Sequence, residues 1–110
     1  MKRTFIETVV FSKGWKDLNL SDDDIMKLQN IILNNPDIGD VLEGTGGAIK
    51  LRFALPNTGK SGGIRVIYVD VKHKNRIYLI ICYPKPKQEN LTVEQKKTIK
   101  ELVKQLKGEN

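Results

Sequence analysis

Ile77-Tyr78-Leu79-Ile80-Ile81-Cys82 is a run of six aliphatic, aromatic or thiol residues with no charged or amide side chain. Successive side chains of an extended segment point to opposite sides, so this one is apolar on both faces. Such a strand belongs in the middle of a sheet, and every other element has to be arranged around it. Two further segments, Ala48–Ala54 and Ile64–Asp70, are short, rich in β-branched residues and bounded by Gly, Pro, Asn or Lys, which predicts strands. The tight polar stretch Lys72–Asn75 predicts a turn joining Ile64–Asp70 to Arg76–Tyr83. Thr4–Phe11 predicts an opening strand, and Ser12–Leu20 a short helix or irregular turn.

Two helices carry start signals that can be read without a structure. Ser21 with Asp24 forms one capping box and Thr92 with Gln95 another, each pairing a side-chain acceptor with first-turn amides. Ile25, Leu28, Ile31 and Ile32 follow the first box at helical spacing, and Asn35-Pro36 ends that helix. Ile99, Leu102, Val103 and Leu106 form the single apolar stripe of the second. Both stripes are assigned to core packing. The predicted order is β-α-α-β-β-β-α, an α+β domain: a mainly antiparallel sheet of about four strands, with N-terminal helices packed on it and a C-terminal helix. At 110 residues the chain fits one domain, residues 1–110.

Composition narrows the partners. The lone Cys82 cannot form an internal disulfide, and with the single His73 it cannot close a zinc site, so no metal is expected and a reducing compartment is indicated. No stretch reaches the ~18 apolar residues of a membrane span, and MKRTFIE lacks a secretory apolar region, so the expectation is a cytoplasmic protein. Residues 1–58 carry seven Lys/Arg against eight Asp/Glu, whereas residues 59–110 carry twelve against five. A basic half of this kind suits a phosphate-rich partner, because each neutralised phosphate releases condensed counterions. Few aromatics are present, which disfavours an array of base-stacking platforms.

Ala54-Leu55-Pro56-Asn57-Thr58-Gly59-Lys60-Ser61 matches a loose phosphate-loop pattern, with Asp70 at the end of a following strand. That chemistry requires a helix to start at the Lys-Ser pair, so that its amides receive the phosphates. Here Gly62-Gly63 and a β-branched run follow instead, which predicts a hairpin loop carrying the cation Lys60. Other chemistry is equally short of parts. His73 lies in a polar turn, Cys82 sits among apolar neighbours, and no paired carboxylates face each other, so no conventional acid/base or nucleophile pair is available.

Cations and one tyrosine remain. Lys50 and Arg52 are two apart and share a face of their strand; Arg65 opens the next; Tyr83 and Lys85, again two apart, close the last, with Lys87 just beyond. Taken alone, such a cluster reads first as a charged, solvent-facing sheet surface, with a phosphate-binding patch as the alternative.

Three strings give the cluster a context: Gly39-Asp40-Val41-Leu42-Glu43-Gly44-Thr45-Gly46-Gly47 followed by Ile49-Lys50-Leu51-Arg52; Gly59-Lys60-Ser61-Gly62-Gly63-Ile64-Arg65-Val66-Ile67-Tyr68; and Tyr83-Pro84-Lys85. Together they resemble the signature of HigB-type toxins of the RelE/ParE superfamily, and the similarity spans nearly the whole chain. The resemblance implies a RelE-like α+β fold and a toxin that is an endoribonuclease, cleaving mRNA in the ribosomal decoding site. It also implies a cognate antitoxin, expected to be a helix-turn-helix protein, no cofactor, and a monomeric toxin that assembles further only through its antitoxin.

By position, Lys50 and Arg52 resemble the family's basic pair, Arg65 the arginine that holds the scissile phosphate, and Tyr83 with Lys85 the Tyr-x-Lys strand ending. Lys60 and Lys87 are then expected to hold ribosomal RNA. The chain departs from the pattern at Lys85, Lys87 and Asn90, where relatives often carry Arg, an acid and Asp. Cleavage by a neighbouring 2′-hydroxyl needs one proton removed, a phosphorane dianion stabilised and a 5′-oxygen protonated. Arg65 and Arg52 suit the second need, Lys50 or Lys85 the proton transfers, and Tyr83 orientation of, or stacking on, a base. Two other readings stay open: a ParE-like inhibitor of DNA gyrase that cuts no RNA, and a degenerate member that only binds antitoxin.

Overall fold

The computed structural model describes residues 2–54, 63–85 and 90–108. The strands are β1 (Thr4–Glu7), β2 (Asp40–Val41), β3 (Ile49–Phe53), β4 (Ile64–Val71) and β5 (Arg76–Pro84), and the helices are α1 (Val9–Asp17), α2 (Asp22–Asn34) and α3 (Val93–Leu106). A 3-10 turn at Lys72–Lys74 joins β4 to β5, closed by Asn75 in the left-handed region. The sheet order is β1-β5-β4-β3-β2. The expected central strand therefore lies inside the sheet, between β1 and β4.

Two expectations are corrected. Among the described residues the sheet has five strands rather than about four, because Asp40–Val41 pairs with Lys50 and Ile49; two residues carry too little periodicity to be seen in a sequence. The sheet is mainly antiparallel as expected, with one parallel pair, β1 beside β5, Thr4 opposite Arg76 and Glu7 opposite Leu79. The opening strand stops at Glu7, and its β-branched continuation Val9-Val10 begins α1 instead. Thr8 overrides the propensity of those valines: its Oγ1 accepts from the Phe11 amide at 3.0 Å and donates to the Ile80 carbonyl at 2.6 Å. Val9 is left 85% exposed as a result.

Both capping boxes form as read, Ser21 with Asp24 and Thr92 with Gln95. The Asp24 carboxyl is held below its usual range by hydrogen bonds from the Ser21 backbone and side chain. The sheet is covered on both faces. Phe11 and Trp15 of α1 and Ile25, Leu28 and Ile32 of α2 pack with Leu51, Phe53, Val66 and Leu79 on one side. Ile99 and Val103 of α3 pack with Ile67, Val69, Tyr78 and Ile80 on the other. The six-residue apolar run is buried twice over for that reason.

Side chains from the β4–β5 turn hold the C-terminal end of α3. Lys74 Nζ donates to the Leu106 carbonyl at 3.0 Å, and His73 Nε2 lies 3.1 Å from the Lys107 carbonyl. These side chains occupy carbonyls that a helix end leaves without intrahelical partners. His73, expected as a solvated turn residue, is exposed but has this packing role. Across the helix, Lys107 Nζ donates to the Gly46 carbonyl at 2.9 Å. Gly46 has a positive φ of 76°, which L side chains rarely adopt, whereas a Cβ there would meet Val103 at an ordinary 3.5 Å. Glycine thus serves the turn of the loop before β3 rather than its approach to α3.

Candidate active site

The strand register decides which cations meet. Arg52 of β3 lies opposite Arg65 of β4, and Arg65 lies opposite Tyr83 of β5. Directly opposed residues project to the same face, and neighbouring strands lie ~4.8 Å apart. The three side chains therefore leave the sheet in one row about 10 Å wide. Tyr83 belongs to the cluster that includes Leu91, Ile99 and Val103, which places the row on the α3 side. Lys50 stands two residues before Arg52, opposite Ile67 of the same cluster. Lys85 follows Tyr83 by two, its amide donating to the Gly63 carbonyl at 3.4 Å.

An irregularity in β5 makes this convergence possible. Ile67 pairs with Ile81, but the next residue of β4, Tyr68, pairs with Leu79, so Ile80 is an extra residue. Strict alternation from Ile77 and Leu79 would send Tyr83 to the α1/α2 face. The bulge reverses the alternation: Ile77, Leu79 and Cys82 face α1 and α2, whereas Tyr78, Ile80 and Tyr83 face α3. Spacing by two could not tell which face Tyr83 takes, because the bulge shifts the phase within β5.

The row is unevenly accessible. Arg52 is exposed and Lys50 and Lys85 are half-buried. Arg65 is 5% and Tyr83 7% exposed. The residues alone read first as a charged, solvent-facing sheet surface; Arg65 and Tyr83 are instead buried. Lys60 and Lys87, the expected ribosomal-RNA contacts, lie outside the described residues, as does most of the phosphate-loop-like string. The next element along the chain is β4, a strand rather than the helix such a loop requires.

Asn90 joins the candidate set without having been assigned a role from the sequence. Lys50 Nζ donates to its Oδ1 at 3.5 Å across forty positions of chain. Nothing local to Asn90 signals this contact, because it depends on how α3 returns across β3. Cys82 is a buried free thiol whose pKa is pushed up to about 12, chiefly by burial and further by the Glu7 charge. It faces α1, away from the row, which agrees with its reading as an inert strand residue. Among the described residues, no three His, Cys, Asp or Glu side chains gather in a way that could hold a metal ion.

A sheet of five described strands between two helical layers, with a cation–tyrosine row on one face, defines a small α+β architecture. The family model for the RelE toxin of the RelE/RelB toxin–antitoxin system matches residues 2–110, so the chain belongs to the RelE toxin family. Solved structures agree on the fold. A doubly substituted form of the E. coli toxin RelE in the free state superposes with a TM-score of 0.56 at 19% identity, covering 81% of this chain and 90% of that one. A chain of the intact E. coli RelBE toxin–antitoxin complex gives 0.53 at 19% identity, covering 73% and 93%.

Proposed function

We propose that this toxin is a ribosome-dependent endoribonuclease that cleaves mRNA during translation, the toxin of a type II pair. The observation that carries the reading is the Arg52–Arg65–Tyr83 row on one sheet face, with Lys50 on the same face of β3 and Lys85 just past the end of β5. A scissile phosphate over that row meets two guanidinium groups suited to bidentate contact with its oxygens. Their charge acts where the phosphorane becomes dianionic, which is where stabilisation accelerates the reaction. In this scheme the adjacent 2′-hydroxyl attacks phosphorus and its proton passes to Lys50 or Lys85. The bond to the 5′-oxygen breaks as that oxygen gains a proton from the other lysine. Tyr83 orients a neighbouring base, and Lys60 and Lys87 hold ribosomal RNA.

The cognate antitoxin, expected as a helix-turn-helix protein, neutralises the toxin by covering the basic strand face or displacing α3 with acidic and apolar residues.

The test is cleavage on programmed ribosomes by purified Arg65→Ala protein. Removal of one charge-stabilising group is expected to lower the rate about 100- to 1,000-fold; cleavage at the parental rate refutes the assignment. Mapping 5′ ends in total RNA after induction separates this reading from gyrase poisoning, which leaves messages intact and raises DNA-damage signalling.

A further inference from the structure

Helix α3 and its C-cap carry Lys96, Lys97, Lys100, Lys104 and Lys107, beside the glutamates Glu94 and Glu101, and the helical repeat separates most of them by sign. At ~100° per residue, Lys96, Lys100, Lys104 and Lys107 fall within an arc of about 80°. The buried side is formed by Ile99 and Val103. Glu94 and Glu101 lie roughly 60–80° beyond the Lys104 edge of that arc, with Lys97 between. The helix thus presents an apolar strip to the sheet, a basic strip along one shoulder and its acids past that strip's outer edge.

Two contacts establish which shoulder is basic. Gly46, in the loop leading into β3, shares a shallow groove with Lys100, Val103, Lys104 and Lys107, and Lys107 donates to its carbonyl. The opposite shoulder, with Leu102 and Thr98, borders Thr8, Val10 and Ile81 instead. The lysine strip therefore runs on the β3 side, where Lys50 reaches Asn90 just ahead of α3. Cations continue from Arg52 through Lys50 and along α3 for about another 16 Å, the rise from Lys96 to Lys107.

We infer that this lysine shoulder is a second contact for the phosphate backbone of structured RNA, continuous with the strand cations. The occupant follows from what the strip lacks as well as what it holds. No apolar or aromatic residue stands at these four positions, and lysine is depleted at the centres of protein interfaces, which rely on buried aromatic or arginine anchors. Flexible ammonium groups spaced about 6 Å apart along a helix suit a row of phosphates, which need positioning rather than base readout. The choice of RNA rests on the ribonuclease reading; the predicted position of the contact does not depend on where cleavage occurs.

The experiment compares three full-length proteins binding an RNA hairpin with a 10-bp stem, over a series of salt concentrations. One is the parent. The second carries Lys96→Gln, Lys100→Gln and Lys104→Gln, leaving Lys107 to hold Gly46. The third carries Lys13→Gln, Lys16→Gln and Lys27→Gln, lysines of α1 and α2 whose replacement gives the same net charge on the opposite layer. Circular dichroism checks that all three are folded. The α3 variant is expected to bind at least tenfold more weakly at low salt. Its log–log salt dependence should be shallower by about 2 to 3, close to one for each phosphate no longer neutralised. The α1/α2 variant should match the parent.

Equal slopes in all three proteins overturn the inference, as does an equal loss in the two variants, which would report net charge alone. Loss of antitoxin affinity in the α3 variant with an unchanged RNA slope would also overturn it, marking a protein-docking shoulder. A parent that binds the hairpin through α3 yet leaves mRNA intact on ribosomes would refute the ribonuclease reading and leave this contact standing.

Discussion

Tyr68 is fully buried in the middle of β4, and its hydroxyl reaches out of the sheet to hold the connection between α2 and β2. The O–H donates to the Pro36 carbonyl at 2.7 Å. Tyr68→Phe keeps the ring and its apolar contacts but deletes that bond and leaves the carbonyl without it. A hydrogen bond contributes a net ~0.5–1.5 kcal/mol, and a buried group left without its partner costs ~1–3 kcal/mol. Water can replace part of the loss, because the site is only partly buried, so about 2 kcal/mol is expected. With an unfolding entropy of ~2.1 cal/mol/K per residue, a chain of this length should melt about 9 °C lower.

The pH dependence gives a second signature. Burial above all, with the Asp37 and Asp70 charges, pushes the Tyr68 pKa up to about 12 from 10.0. A folded-state value above the unfolded one means the stability is fully present below pH 10 and is lost as pH rises through 12. The difference between parent and variant should therefore be constant at neutral pH and shrink over that alkaline window. Urea unfolding monitored by tryptophan fluorescence reads both quantities, with an unchanged m-value showing that the unfolded state is not altered. A neutral-pH difference below about 0.5 kcal/mol would refute the clasp.

Two more outcomes concern buried groups elsewhere. Arg3 Nε donates to Asp70 Oδ1 at 2.8 Å with both side chains nearly sealed, fastening the residue ahead of β1 to β4. Asp70→Asn should cost about 3 kcal/mol by leaving the guanidinium without a countercharge, and denaturant titration checks it; a loss within about 0.5 kcal/mol would show the pair to be as weak as a surface one. The Cys82 thiol, buried and protonated at neutral pH, should resist alkylation by iodoacetamide in the native state and react on addition of urea. Its contribution to stability should fade as pH rises from 9 towards 12. Rapid labelling of native protein at neutral pH would contradict its placement against α1.

Much of this molecule was legible from local chemistry. Ser21 with Asp24 and Thr92 with Gln95 marked the starts of α2 and α3, because a capping box is complete within four residues. The apolar run Ile77–Cys82 required cover on both faces, and α1, α2 and α3 provide it. The turn at Lys72–Asn75 and the strand character of Ile64–Val71 were equally readable from nearest neighbours. Lys50 and Arg52 were legible as sharing one face of β3, because spacing by two fixes faces within a strand; grouping them with Arg65, Tyr83 and Lys85 came from the family resemblance. Val9-Val10 misled, since their β propensity is weaker than the hydrogen bond by which Thr8 starts a helix.

Tertiary structure alone decided how the strands meet. β1 lies parallel to β5 at the sheet edge, although nothing in Thr4–Glu7 encodes direction. The extra residue at Ile80 turns Tyr83 towards α3, and register then lines it up with Arg65 and Arg52. Register and bulges arise from the packing of distant segments on both sides of a sheet, so a sequence read along one strand supplies the alternation of side chains but not its phase.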